Sequence, residues 1–196
     1  MTGGIGTGKS EVTRALADLG ASVIDADRVG HEAYRRQAGV WQEVVQAFGE
    51  EILQPDGEID RKALGAIVFN QPDARAKLNS IMHPWMAKTI EKQICQMRRD
   101  GVEVVVLEAA VLIEAGWQYL VDELWVTSAP EEEAVRRVSL RNNIPEEEVR
   151  RRMTSQMPVT EKISQADVVI ENAGDLDELR QRVEREWNGR VKGRIG

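Results

Sequence analysis

Apolar positions along the chain alternate between helical and strand spacing. After a glycine-rich opening, SEVTRALADLG carries Val12, Leu16 and Leu19 at helical intervals and ends at Gly20, a residue suited to the left-handed turn past a helix end. ASVIDAD follows, with the β-branched pair Val23 and Ile24 running into Asp25 and Asp27, and predicts a short strand with acid at its C-terminal end. VEVVVLE, residues 102–108, is a continuous apolar run of the kind buried on both faces of a parallel sheet. ELWVTSA (123–129) and DVVIEN (167–172) predict two further strands. Between them PEEE occurs at Pro130 and again at Pro145, each a helix start with proline near the first helical position and acid in the first turn. DLDELRQRVEREW predicts an amphipathic closing helix, and GRVKGRIG a loose tail.

From about residue 31 to residue 100 the pattern is helical throughout: VWQEVVQAFG, RKALGAIVF, DARAKLNSIM and an amphipathic stretch over 84–99, separated by the turn signals QPDG and NQPD. His83, in IMHPW, is expected at a break between two helices imposed by Pro84. Such a run fits a helical insertion covering one side of a site. The order as a whole predicts a single α/β domain over 1–196, a parallel sheet flanked by helices, with the insertion at about 31–100 and a small lid at about 137–158.

Composition narrows the function. A formal charge of −7 disfavours a groove that tracks a long nucleic acid, so a phosphate-bearing partner should be a small molecule. One cysteine, Cys95, and two histidines, His31 and His83, are too few for a disulfide framework or a Cys/His zinc site. The most apolar run, 102–113, is interrupted by Glu103 and Glu108 and is too short to span a membrane. With no signal peptide ahead of the loop, the expectation is a soluble cytoplasmic protein, monomeric or weakly self-associating.

The chemistry begins in the opening residues. Gly3-x4-Gly8-Lys9-Ser10 satisfies G-x-x-x-x-G-K-[ST], with four glycines within six residues and a helical pattern directly behind it. Glycines let main-chain amides turn inward on phosphates, Lys9 brings positive charge to the β/γ oxygens and the Ser10 hydroxyl suits Mg²⁺. Gly4, Gly6, Thr7, Gly8, Lys9, Ser10 and Glu11 are therefore the candidate nucleotide contacts.

No N-K-x-D element for reading guanine occurs, and a kinase needs a group to deprotonate an acceptor hydroxyl. Asp25 and Asp27, two apart on the expected strand, are the candidates, and Asp27 is equally suited to capping the next helix. Arg137 and Arg141, four apart, share a helix face from which they would reach a transferring phosphoryl group. Arg150, Arg151 and Arg152 read better as a solvated face paired with the glutamates of the PEEE turns. Glu108, at the end of its strand, is a candidate to act on Mg²⁺ through water, and Glu114 to face the acceptor; for both, a buried acid satisfied by neighbouring backbone is an equal alternative. His83 is a candidate at the cleft edge or a structural residue. Trp41, Trp85, Trp117, Trp125 and Trp187 are most simply packing.

Taken in order, TGGIGTGKS, VIDADRVGHEAY, IDRKALGAIVF, IMHP, LEAAVLIEAGW, RRVSLRNN and ADVVIEN resemble the dephospho-coenzyme A kinase family over almost the whole chain. EAAVLIEAGW and SQMP are similar to the kinase half of the eukaryotic bifunctional coenzyme A synthase, where the usual bacterial form has proline at the position of Ala110. The resemblance implies a P-loop NTPase-like fold and ATP·Mg²⁺-dependent phosphorylation of the ribose 3′-hydroxyl of dephospho-CoA. It implies Asp27 as general base, Lys9, Ser10 and the loop glycines on the nucleotide, Arg141 as the lid arginine and Arg137 in support of the phosphates. His31, Arg61, His83, Leu112 and Glu114 would lie along the dephospho-CoA site. Relatives carry several apolar residues before TGG, a central strand that only Met1 precedes here; the expectation is that this strand is missing and that the true start lies upstream. Another small-molecule kinase, such as a nucleoside monophosphate kinase, and a catalytically inactive nucleotide-binding module are the alternatives.

Overall fold

The opening loop joins the shortest strand of the sheet to its first helix. In the computed structural model, which describes residues 1–36 and 38–195, β1 is Thr2–Gly3 and α1 is Lys9–Asp18. α1 ends as the sequence predicts, with Gly20 at φ 110°. β2 (Ser22–Asp25) leads into α2 (Ala26–Glu32), after which α3 (Trp41–Phe48), α4 (Arg61–Asn70) and α5 (Pro72–Arg99) follow. β3 is Val105–Glu108 and β4 is Trp125–Ser128. The two PEEE segments open α6 (Glu131–Asn142) and α7 (Glu146–Thr154). α8 (Val159–Ile163), β5 (Val168–Glu171), α9 (Leu176–Glu186) and α10 (Lys192–Ile195) complete the order.

β1 runs parallel to β4, with Thr2 opposite Val126, and β4 runs parallel to β5, with Trp125 opposite Val168; β2 pairs with β3. The first strand is thus short rather than missing, a correction to the sequence reading. Met1 extends it: its amine donates to Leu107 O at 2.8 Å and its carbonyl accepts from Ala109 N at 3.1 Å, so one residue ties β3 to the head of β1.

Two compact units emerge, one of residues 1–24 with 97–196 and one of residues 25–96. In the first, Val12 and Leu16 of α1, Val106, Trp125, Val168 and Ile170 of the strands, and Leu179, Val183 and Trp187 form one buried cluster with Met1. The helix positions three and four apart supply one apolar stripe, and the strands supply the faces it covers. The second unit is helical. Its QPDG segment turns as predicted, Gly57 N donating to Gln54 O at 2.9 Å, and brings Leu53 and Ile59 together as an antiparallel bridge.

Two elements differ from the sequence reading. α5 continues through Pro84 instead of breaking there. Proline removes one N–H and crowds the carbonyl four residues back, that of Ser80. Leu78 and Met82 before it and Met86, Ala87 and Ile90 after it are all buried, so packing on both sides outweighs the lost bond. The tail is also helical as far as Ile195, anchored by buried Trp187 and by Arg190, whose Nε donates to Glu186 Oε2 at 2.9 Å; Gly196 lies outside the described residues.

Candidate active site

The phosphate loop hangs between β1 and α1, and its underside is fastened by side chains from other strands. Thr7 Oγ1 lies 2.7 Å from Thr127 Oγ1 of β4 and donates to Gly4 O at 2.8 Å. Thr7 is buried, so it faces the sheet and leaves only its main chain for a ligand. Asn172, just past β5, donates from Nδ2 to Thr7 O at 3.1 Å. The geometry explains two of the glycines. Gly6 (φ 78°) lies against the main chain of Ala134 in α6, and Gly8 (φ 93°) against the Asn172 amide, so a Cβ at either position would collide as well as adopt a disfavoured backbone. Gly8 caps α1 without a side chain, which leaves the first amides of that helix open to an anion. Lys9 Nζ donates to Gly3 O at 3.3 Å across the loop.

Ser10 Oγ donates to Glu108 Oε1 at 3.2 Å. The exposed hydroxyl at the helix start and the carboxylate at the end of β3 therefore share one edge of the sheet, 98 positions apart in sequence. Both are hard oxygen donors, the kind Mg²⁺ accepts while keeping several waters and binding mainly through substrate phosphates. Among the described residues no group of three or more His, Cys, Asp or Glu is arranged as a metal site. The pair therefore fits a phosphate-borne Mg²⁺ and not a cage of side chains.

The aspartates of IDAD separate. β2 stops at Asp25, whose Oδ1 accepts from Asp27 N at 2.9 Å and Arg28 N at 3.2 Å and so caps α2. Asp27 is not on the strand, as expected from its spacing, but in the first turn of the helix. Capping falls to Asp25 because it is the last extended residue and its side chain reaches forward to the open amides. The Asp27 carboxylate stays exposed and accepts no hydrogen bond among the described residues.

The arginines divide as well. Arg150 donates to Glu131 at 2.9 Å and Glu132 at 2.7 Å, while Arg151 and Arg152 pair with Glu148, all on the surface as the PEEE pattern suggested. Arg137 does not extend outward: its guanidinium donates to Asn172 O at 3.1 Å and Gly174 O at 3.5 Å, and lies 3.6 Å from Glu133. Arg141 is exposed at the end of α6, with Nε on Asn142 Oδ1 at 3.2 Å. Glu11 pairs with Arg14 along α1 at 2.6 Å.

The remaining candidates fall in both units. His31, in the last turn of α2, and Arg61, the first residue of α4, are exposed, and His83 lies within α5. Arg61 also bears on Tyr34, whose phenol burial pushes up and the nearby guanidinium pulls down. Leu112 is completely buried, so its side chain meets protein. Glu114 accepts from Lys162 Nζ at 2.7 Å, and the same ammonium donates to Ala110 O at 2.7 Å. Sequence reasoning missed Thr127, Lys162 and the side chain of Asn172. None of them stands in a pattern, although ADVVIEN did place Asn172 at the end of a strand.

A glycine loop on the main-chain end of a helix, at the head of parallel strands, places the chain among phosphate-loop proteins that handle nucleotides. The family profile of CoaE: Dephospho-CoA kinase matches residues 1–178. A dephospho-CoA kinase of Geobacter sulfurreducens is 46% identical over 187 residues, 95% of each chain, and one of Arabidopsis thaliana 39% identical, over 94% of this chain and 80% of its own. Among solved structures, TT1252 from Thermus thermophilus superposes with a TM-score of 0.81 at 32% identity, over 97% of this chain and 95% of its own. The dephospho-CoA kinase from Campylobacter jejuni gives 0.73 at 27% identity, over 98% and 96%. The chain belongs to the dephospho-CoA kinase family, and is thus a phosphotransferase with an alcohol group as acceptor.

Proposed function

We propose that the chain transfers the γ-phosphoryl group of ATP, bound with Mg²⁺, to the ribose 3′-hydroxyl of dephospho-CoA. The observation that carries this reading is an intact phosphate loop, with Ser10 bonded to Glu108, in a chain that matches the family from residue 1. The loop amides, Lys9 and the N-terminal end of α1 hold the triphosphate in place. Ser10 would hold Mg²⁺, with Glu108 behind it through water; when bound, the ion neutralises charge on the β/γ oxygens. The Ser10 hydroxyl has its one proton committed to Glu108, so its lone pairs are turned outward.

Asp27 serves as the base. Its carboxylate is spared from capping α2 by Asp25, which leaves it available to accept the acceptor hydroxyl's proton. Arg141, at the exposed end of α6, stabilises charge on the transferring group, and closure of the 137–158 segment excludes water that would otherwise be phosphorylated in place of the sugar. His31, Arg61 and His83 contribute to dephospho-CoA binding; Glu114, tied to Lys162, does so with its remaining oxygen.

The test is transfer of label from γ-labelled ATP to dephospho-CoA, beside a panel of nucleoside monophosphates. Transfer to dephospho-CoA alone supports the reading. Transfer only to a nucleoside monophosphate, or none at all, overturns it.

A further inference from the structure

We infer that Asn172 is a positioning residue for the phosphate loop, and that Arg137 acts through it instead of on the nucleotide. Asn172 is 7% exposed and held at three points. Its N–H donates to Ser128 O at 2.7 Å, its carbonyl accepts from Arg137 Nη1 at 3.1 Å, and its side-chain amide donates to Thr7 O at 3.1 Å. A cation on α6, the chain leaving β5 and the loop between β1 and α1 are thereby linked in series.

The link acts on one peptide bond. No peptide in the described chain is cis, so in the planar unit joining Thr7 to Gly8 the carbonyl and the N–H point in opposite directions. Holding Thr7 O toward Asn172 turns Gly8 N–H away from it, toward the side on which loop amides face an anion. That peptide is otherwise easily rotated, because Gly8 has no Cβ and sits at φ 93°, where glycine is nearly indifferent to the sign of φ. Thr7's side chain, bound to Thr127, holds the residue on one side of the peptide, and Asn172 holds the peptide itself.

The same geometry reassigns Arg137. Its fork is used on two main-chain carbonyls, Asn172 O and Gly174 O, and its side chain is less than one third exposed. A planar guanidinium suits such a double grip, because its N–H groups are fixed in one fork.

The inference rests on the reading of ATP as phosphoryl donor, and the experiment separates the two. Wild type, Asn172→Ala, Asn172→Asp, Arg137→Met and the double variant Asn172→Ala with Arg137→Met are assayed for kcat and for the KM of each substrate. Arg136→Met serves as control, since among the described residues Arg136 pairs with Glu133 alone, on the surface. A silent wild type refutes the functional reading before the variants are considered. Given an active wild type, Asn172→Ala is expected to raise the KM for ATP about tenfold, the equivalent of ~1.4 kcal/mol, in the range of one hydrogen bond near a charged group. The KM for dephospho-CoA stays unchanged. Asn172→Asp, which keeps the shape but offers Thr7 O no hydrogen, behaves at least as badly. A merely structural role would lower kcat with the active fraction and leave both KM values alone, and that result overturns the proposal. If Arg137 acts through Asn172, the double variant is no worse than the worse single variant; multiplication of the two effects refutes the second half. Should the Asn172 variants fail to fold, Arg137→Met, at a partly exposed site, still decides: an ATP KM equal to that of Arg136→Met counts against the linkage.

Discussion

Lys162 Nζ sits 2.7 Å from Glu114 Oε1 in a pocket where the lysine is completely buried and the glutamate is about a quarter exposed. The ammonium also donates to Ala110 O, which in turn accepts from Thr2 Oγ1 at 3.2 Å, so this pair ties the chain after β3 to α8 and to the first strand. Losing one member of such a pair costs about 3–5 kcal/mol when the survivor stays dry. The asymmetry in exposure sets the order. Glu114→Ala leaves the deeply placed ammonium without its counter-charge, with Ala110 O as its remaining partner among the described residues, and is expected to be the worse; Lys162→Met leaves a carboxylate that water already reaches. Urea unfolding of both variants measures this, and equal losses would contradict the burial argument.

Capping and base chemistry are expected to separate in IDAD. Asp25→Ala removes the acceptor for two amides of α2 and should cost about 1 kcal/mol of stability. Asp27→Asn should leave melting unchanged and reduce kcat by about 10²–10⁴, the contribution of a positioned base. Thermal melts and turnover of the two variants decide it; normal turnover in Asp27→Asn would remove Asp27 from the mechanism.

For the chain beginning at Met1, stability should rise with pH between about 5 and 8. Burial drives the Met1 amine from 8.0 down to about 5, with the Glu108 charge opposing the shift. The unfolded chain then carries a proton on this amine throughout that window and the folded chain does not, so protons favour unfolding. The contribution is intact above pH 8, declines as the pH falls, and is gone below about 5. A shift of this size corresponds to a difference on the order of 4 kcal/mol. Chemical denaturation across the window tests it, with an Nα-acetylated chain as reference: acetylation removes the titration and should flatten this part of the curve.

The triple arginine should be nearly neutral. Arg150, Arg151 and Arg152 form exposed ion pairs with glutamates of α6 and α7, and water and salt screen such pairs so that they add little to stability. Arg151→Ala and Arg152→Ala are expected to change neither the KM for ATP nor kcat. A raised KM for ATP in either would show that the surface pairing is not where these side chains act.

The loop and the alternation of elements were legible because both are local. A glycine run ahead of Lys9 and Ser10, helical spacing of Val12, Leu16 and Leu19, and the continuous apolar stretch ending at Glu108 each depend on residues within one or two turns of one another. The helix boundary at Pro84 was misjudged because the local rule is correct but weaker than burial of Met82 and Met86 on either side of it. The first strand was misjudged because its length in sequence does not reveal that Met1 reaches across to Leu107 and Ala109.

By itself, then, the sequence determined a nucleotide-binding α/β protein, the loop that grips phosphate and the short roster of acids and arginines from which the chemistry is drawn. The tertiary structure decided how those side chains are employed: Asp25 in place of Asp27 on the helix end, Thr7 turned to a partner 120 positions away, and Arg137 gripping the chain beside Asn172. Such choices depend on which distant segments meet and on what water can still reach there, and neither is written in the spacing of neighbours along the chain.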